Sequence, residues 1–348
     1  SGAAGIRATP QGRRLTFGLD ADVARLLPGD LAPLFEGRTE LAGAATLSGE
    51  RDIAIESFTA RAAGFSASAG GTLDATNNAD LTFDATLGDA ARFAVLARGA
   101  SWRSLRLAGT AKGALMAPAV DARLDAEGLD GMGYGAGTLV ATLRTVPDAA
   151  GNLALSVAGT AQGLTATDPQ VAAALGTSGT FSATGTLPAG GDPLRAALTG
   201  ATIRLAALTS QFAGRADADA IDGEMKVERL DLAAFAPLAG RPLAGTAAFD
   251  ATVSAAADLS RASLNLRGSA AGLATGIAQL DGLVGKSLNV DGALARDGAN
   301  ALSVRDLKIN TEGIAATVDG RIATDVADLT AKATLDNLAR LDPRLAGA

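Results

Sequence analysis

The chain has 348 residues, 48% hydrophobic but only 3% aromatic, and a formal net charge of −7. It has no Cys and no His, which excludes disulfides, thiolate nucleophiles and a Ser–His triad and removes the commonest general base and metal ligand. The acidic balance and the singly scattered arginines argue against nucleic acid as a partner, because phosphate binding needs clustered Lys and Arg.

The sequence opens on Ser1 with no signal peptide, and it reads as a segment of a longer protein. No run approaches the ~18 apolar residues of a membrane span. Val23, Leu26 and Leu27 have helical spacing, and 30–47 reads as a short helix running through Gly37 into a strand. The same phrase recurs at 169–187 with Gly176, at 231–249 with Gly240 and at 276–294 with Gly285, and more weakly at 89–99. Leu232, Phe235 and Leu238 repeat the helical spacing. Each of these glycines stands where a helix C-cap needs a left-handed residue. Helices this short cannot roof a sheet, so they are read as plugs or corners between batches of strands.

The rest of the chain alternates. Strands are predicted at 53–60, 64–74, 79–87, 103–112, 119–127, 137–145, 152–161, 178–187, 200–206, 246–254, 262–270, 287–295, 302–310, 313–323 and 327–336. In one of them Leu81, Phe83, Ala85 and Leu87 alternate with Asp80, Thr82, Asp84 and Thr86. Successive side chains of a strand point to opposite faces, so each run makes one apolar and one wet face. Turn signals at 77–78, 148–152 and 296–300 fit short connections, which join strands into an antiparallel meander. No helices of 10–15 residues alternate with the strands, which disfavours a parallel α/β sheet.

The chain also repeats itself. Residues 41–75 align with 290–324 at an offset of 249, with Gly43, Gly49, Gly64 and Gly71 matching Gly292, Gly298, Gly313 and Gly320. After a one-residue deletion, 79–87 aligns with 327–335. Fixed-period self-similarity signals units that bury their apolar faces only with their neighbours.

The apolar stripe is the candidate functional surface. Its predicted lining is Leu81, Phe83, Leu87, Leu139, Leu143, Leu153, Leu155, Val157, Phe249, Val253, Leu264, Leu266, Leu288, Val290, Ile314, Val318, Ile322, Leu329 and Leu335. One reading makes it the core of a closed sandwich or β-solenoid, a structural or adhesin module. The other makes it a groove for hydrocarbon. Ala85, Ala251, Ala316 and Ala333 suit a shallow floor better than a sandwich core ~10 Å thick. Each covered methylene is worth ~0.8 kcal/mol, so a long acyl tail would gain on the order of 10 kcal/mol.

Other motifs carry less. Asp217, Asp219 and Glu228 fall at positions 1, 3 and 12 of a calcium-loop count, but Ile221 and Asp222 occupy positions 5 and 6, where a ligand and Gly are needed, so the segment is read as a solvated strand face or turn. The glycine-rich run 128–137 lacks the Lys-Ser/Thr of a phosphate loop and reads as a flexible loop or bulge anchored by Tyr134. Trp102 reads as a packing or edge anchor. With one Trp and one Tyr the chain cannot build the aromatic girdles of a transmembrane barrel. No catalytic residue, metal site or cofactor is singled out, and the chain is read as not an enzyme.

The alternating Ala- and Gly-rich strands, Leu-Ala-Gly-Thr-Ala at 107–111 and again at 243–247, the phrase Pro-Leu-x-Gly-Arg-x-Leu-x-Gly at 237–245, and recurrent Leu-x-Leu-x-x-Leu phrases resemble the AsmA/TamB-like family of Gram-negative envelope proteins. The resemblance spans nearly the whole chain. It implies an all-β, elongated antiparallel sheet curled into an open half-pipe, apolar inside, with a few short helices. On that reading 1–348 is one continuous repetitive β-groove, with approximate units 15–88, 89–165, 166–229 and 230–348. It also implies a periplasmic location and phospholipid acyl chains as the cargo. The family's inner-membrane anchor would lie N-terminal to this segment, and its contact with an outer-membrane barrel partner would lie C-terminal. A further possibility is a chaperone-like trough that offers its sheet edge to outer-membrane strands.

Overall fold

The computed structural model describes residues 1–27, 32–48, 52–88, 90–93, 99–189, 196–258, 260–298, 301–323 and 327–336. Twenty strands form one antiparallel sheet that does not close into a barrel. The chain divides into two compact units, Ser1–Thr165 with Thr186–Asp192, and Ala166–Gly185 with Pro193–Ala348. The first contains β1 (Gly2–Thr9), β2 (Gly12–Ala21), β3 (Thr39–Ser48), β4 (Asp52–Arg61), β5 (Phe65–Leu73), β6 (Asn78–Leu87), β7 (Ser104–Ala114), β8 (Ala119–Gly131), β9 (Tyr134–Pro147) and nearly all of β10 (Leu153–Ala166). Most of β11 (Ser178–Leu187) belongs to the second. The second also holds β12 (Ala197–Leu205), β13 (Leu208–Ala216), β14 (Ala220–Asp231), β15 (Ala244–Ala256), β16 (Arg261–Ala274), β17 (Ser287–Asp297), β18 (Ala301–Thr311), β19 (Ile314–Ala323) and β20 (Ala327–Leu335).

In each unit neighbours in sequence are neighbours in the sheet, β1 through β9 and β12 through β20. This meander follows from the short turns. Asp74 and Asp148 build the same five-residue turn. Asp74 Oδ1 accepts the Asn78 N–H at 2.8 Å, and Asp148 Oδ1 accepts the Asn152 N–H at 2.9 Å. The fourth residue of each turn, Asn77 or Gly151, has positive φ (61° and 81°), a conformation that Asn and Gly tolerate best.

The helices occupy the connections where helical spacing places them. They are α1 (Pro169–Leu175), α2 (Ala236–Ala239) and α3 (Ala278–Val284), with 3-10 turns at Ala24–Leu26, Ala32–Phe35, Ala90–Phe93 and Leu232–Phe235. Asp168 caps α1 by accepting the Gln170 N–H at 2.8 Å, and Gly176, Gly240 and Gly285 follow α1, α2 and α3 with φ of 72°, 63° and 69°. Positions 28–31, 89 and 94–98 of the predicted helical stretches lie outside the described residues. All these connections run from an even-numbered strand to the next odd one. In each unit, then, the helical turns share one rim of the sheet, and the connections of the opposite rim that are described in full are short turns.

The sequence repeat is a structural repeat. β3, β4 and β5 correspond to β17, β18 and β19, and β6 corresponds to β20. The register slips between Ile55 and Phe58 in the β4–β5 pair, and between Val304 and Leu307 in the β18–β19 pair, the same positions 249 apart. A bulge inserts an unpaired residue and re-aims the strand, so its duplication means that both copies bend at the same point.

Candidate functional site

Directly paired residues of antiparallel strands share a face. By this rule the register gathers the predicted lining residues of each unit onto one face, those of β10 excepted, which are placed only by their alternation along the strand. On β6, Leu81, Phe83 and Leu87 pair with Gly71, Ala69 and Phe65 of β5 and with Ala111, Gly109 and Leu105 of β7. Leu139 and Leu143 pair with Ala126 and Ala122 of β8. Leu153, Leu155 and Val157 alternate along β10 with exposed Ala154, Ser156 and Ala158. In the second unit Phe249 pairs with Val227 and Gly268, and Val253 pairs with Gly223 and Leu264. Leu266 pairs with Ala251 and Gly292, and Val290 with Gly268 and Ile309. Leu288 pairs with Ala270. Ile314, Val318 and Ile322 pair with Leu335, Ala331 and Ala327, and Leu329 pairs with Gly320.

None of these side chains is buried. They are half-buried, except Ile322, Leu329 and Leu335, which are 39%, 46% and 38% exposed. The buried residues of the same face are mostly alanines: Ala60, Ala79, Ala122, Ala126, Ala141, Ala161, Ala251, Ala255 and Ala270. A small side chain sinks between larger neighbours on its own face, whereas an opposing layer would bury the leucines as well. Two separate globules of half the mass each would together expose about 15,500 Å²; the chain exposes 20504 Å².

The opposite face is hydrophilic and internally paired. Arg14 donates to Glu56 at 2.5 Å and the Thr46 hydroxyl donates to it at 2.7 Å; the hydroxyl first, and Arg14 after it, lower the Glu56 pKa. Arg106 pairs with Asp84, Lys112 with Asp80 (3.3 Å), Arg144 with Asp121 (2.9 Å) and Arg267 with Asp291 (2.6 Å). These ion pairs are exposed and contribute little stability; they fix which face is wet. Open depressions of about 810 and 320 Å³ lie on this hydrophilic side, the larger lined by Glu224, Lys226, Asp250, Asn265, Arg267 and Asp291.

The remaining motifs resolve as structure. Asp217 caps the β13–β14 turn, accepting the Asp219 and Ala220 N–H groups at 3.0 and 3.1 Å and Arg215 Nε at 2.8 Å. Glu228 lies eight residues beyond Ala220 along β14, on the order of 26 Å from the turn, and accepts from Gln211; the strand separates the residues of the calcium count. The run 128–137 is not a flexible loop. It is a hairpin that pairs Gly131 with Tyr134 across Met132 and Gly133, whose positive φ values (53° and 84°) suit a two-residue turn. Tyr134 is exposed at the end of that hairpin. Trp102 Nε1 donates to the Gly88 carbonyl at 2.8 Å and its ring leans on Phe93 at 5.4 Å, fixing the β6–β7 connection.

The sequence reading did not set out β1, β2, β13 and β14. Ile221, Met225 and Val227 alternate cleanly along β14, and the acidic residues between them make the solvated strand face that remains once the calcium count fails. Among the described residues no group of carboxylates could hold a metal ion, and no helix is long and apolar enough to cross a membrane. The chain matches no family model, no curated protein and no solved structure.

Proposed function

We propose that this chain is a periplasmic segment of an AsmA/TamB-like protein. Its apolar face curls into an open trough that holds phospholipid acyl chains between the inner and outer membranes, and it catalyses no reaction. The observation that carries this reading is the exposure pattern of that face: leucines half-open to solvent over a floor of buried alanines. A shallow floor whose positions are alike gives a hydrocarbon tail nearly equal contact at each step, at ~0.8 kcal/mol per covered methylene. Exposed apolar surface on this scale marks an interaction site, and the ion-paired opposite face supplies solubility.

Native mass spectrometry of the purified chain tests the proposal. Phospholipid or a fluorescent lipid retained at about one or more per chain supports it. Absence of lipid under conditions that load a known lipid carrier overturns it in favour of a structural or interaction module.

A further inference from the structure

We propose that the apolar face selects acidic amphiphiles, with Arg13 in the first unit and Arg296 in the second each holding a headgroup of its own at the rim that carries the short turns. The inference rests on the acyl-chain reading above and names the headgroup class and its place. Arg13 pairs with Ala8 and Leu47, and Arg296 with Ala262 and Leu302, so both stand in register with the apolar face. Every other Lys or Arg with a paired register position lies on the hydrophilic face, among them Arg14, Arg106, Lys226, Arg267, Lys308 and Lys332. Among the residues with a paired register position, each unit thus carries one arginine on its apolar face.

Their position along the strands is also shared. Arg13 lies one residue inside the start of β2 and Arg296 one residue before the end of β17, both at the rim opposite the helical turns. Inward from Arg13 run Leu15, Phe17 and Leu19; inward from Arg296 run Leu294, Val290 and Leu288. The lane from Arg296 to Leu288 spans eight residues, about 26 Å, and one tail fills about 15 Å of a bilayer half. A tail laid along that lane would leave its headgroup at the guanidinium, which binds phosphate or carboxylate through paired N–H donors. Both arginines are exposed. Arg13 has no carboxylate within ion-pair distance among the described residues. Arg296 Nε donates to the Gly298 carbonyl at 3.2 Å, which keeps the side chain at that rim.

The full chain is loaded from vesicles of phosphatidylglycerol or of phosphatidylcholine, from oleate, and from diacylglycerol, and the lipid retained per protein is counted by mass spectrometry. The expected result is at least a fivefold preference for phosphatidylglycerol over phosphatidylcholine. Arg13→Gln/Arg296→Gln removes that preference and leaves diacylglycerol uptake unchanged. Arg7→Gln/Arg321→Gln, which removes the same charge from the hydrophilic face, keeps it. Oleate retained in preference to diacylglycerol extends the site to carboxylates; oleate retained no better confines it to phosphodiesters, and either accords with an arginine-held anion. Equal uptake of the two phospholipids by the unmodified chain, or equal loss in the control variant, overturns the headgroup site while diacylglycerol uptake leaves the trough standing. No uptake of any lipid, diacylglycerol included, overturns both.

Discussion

Gly71 and Gly320, 249 positions apart, hold the same backbone conformation against the same obstacle. Their φ values are 136° and 141°. A Cβ on either would lie 2.0 Å from a carbonyl oxygen, that of Asp80 in one copy and of Asp328 in the other. Only glycine fits such a site without moving the neighbouring strand. Gly71→Ala and Gly320→Ala should each destabilise the chain by about 2 kcal/mol or more. Urea denaturation followed by circular dichroism reads this. A midpoint unchanged in both variants would show that the neighbouring strand yields freely, contrary to the shared geometry.

Acid should weaken the fold through its turns. Asp74 is held at a pKa of about 2 by the Asn78 backbone N–H, helped by the Thr76 hydroxyl and the Asn78 side chain. Asp217 is held at about 2 by Arg215 and by the N–H groups of Asp219 and Ala220. Both values are depressed from the ordinary 3.8, so in this range the unfolded chain takes up protons before the folded one. The stability these carboxylates contribute is therefore complete above about pH 4 and is lost as pH falls toward 2. Thermal melts should show a flat Tm from pH 7 to about 5 and a decline below 4, shallower in Asp74→Asn. An Asp74→Asn variant with the wild-type slope would remove this turn as a source of the acid sensitivity.

Thr39 is the one described residue whose side-chain oxygen is buried without a hydrogen-bond partner, at 1% exposure. It pairs with Ala21 on the apolar face at the helical rim. A buried hydroxyl without a partner costs its desolvation, and an apolar group of the same shape does not. Thr39→Val should raise stability by about 1 kcal/mol. Lower stability in this variant would mean that the hydroxyl has a partner in solution.

Much of this was legible in the residues, because strand faces follow a period of two and the register keeps that period across every pair. Leu81-x-Phe83 and Leu264-x-Leu266 face the apolar side for this reason alone. The duplicated bulge was not legible: Ile55-Glu56-Ser57-Phe58 shows only a slipped alternation, and the slip becomes a bulge when β5 continues in register on either side of it. β13 was hidden by Ser210 standing on the apolar face opposite Val227. The acidic 217–224 segment was legible as a turn and a wet strand face but not in its detail, because charge density is visible in a sequence and the direction in which each carboxylate points is not. Asp217 turns into its own backbone, whereas Asp222 receives a hydrogen bond from the Ser254 hydroxyl at 2.5 Å across the strand pair.

Leu266 and Asn265 are adjacent in sequence and point to opposite faces of β16. Leu266 stands between Ala251 and Gly292, and Asn265 between Thr252 and Ala293. This gives a one-residue test of which face carries the cargo. Leu266→Glu places a carboxylate in the hydrocarbon lane, where a covering tail would have to desolvate it. Asn265→Glu adds the same charge to the wet face. The expected result is a drop of about tenfold or more in retained lipid for Leu266→Glu, since one unit of charge desolvated against a tail readily costs more than the 1.4 kcal/mol that a factor of ten represents. Asn265→Glu should retain wild-type lipid. Val318→Glu, between Leu307 and Ala331, should repeat the Leu266→Glu result three strand pairs away, because a continuous lane can be interrupted at any point. Folding is checked by circular dichroism in each variant. Loss of lipid in both Leu266→Glu and Asn265→Glu, or in neither, would detach the cargo from the apolar face.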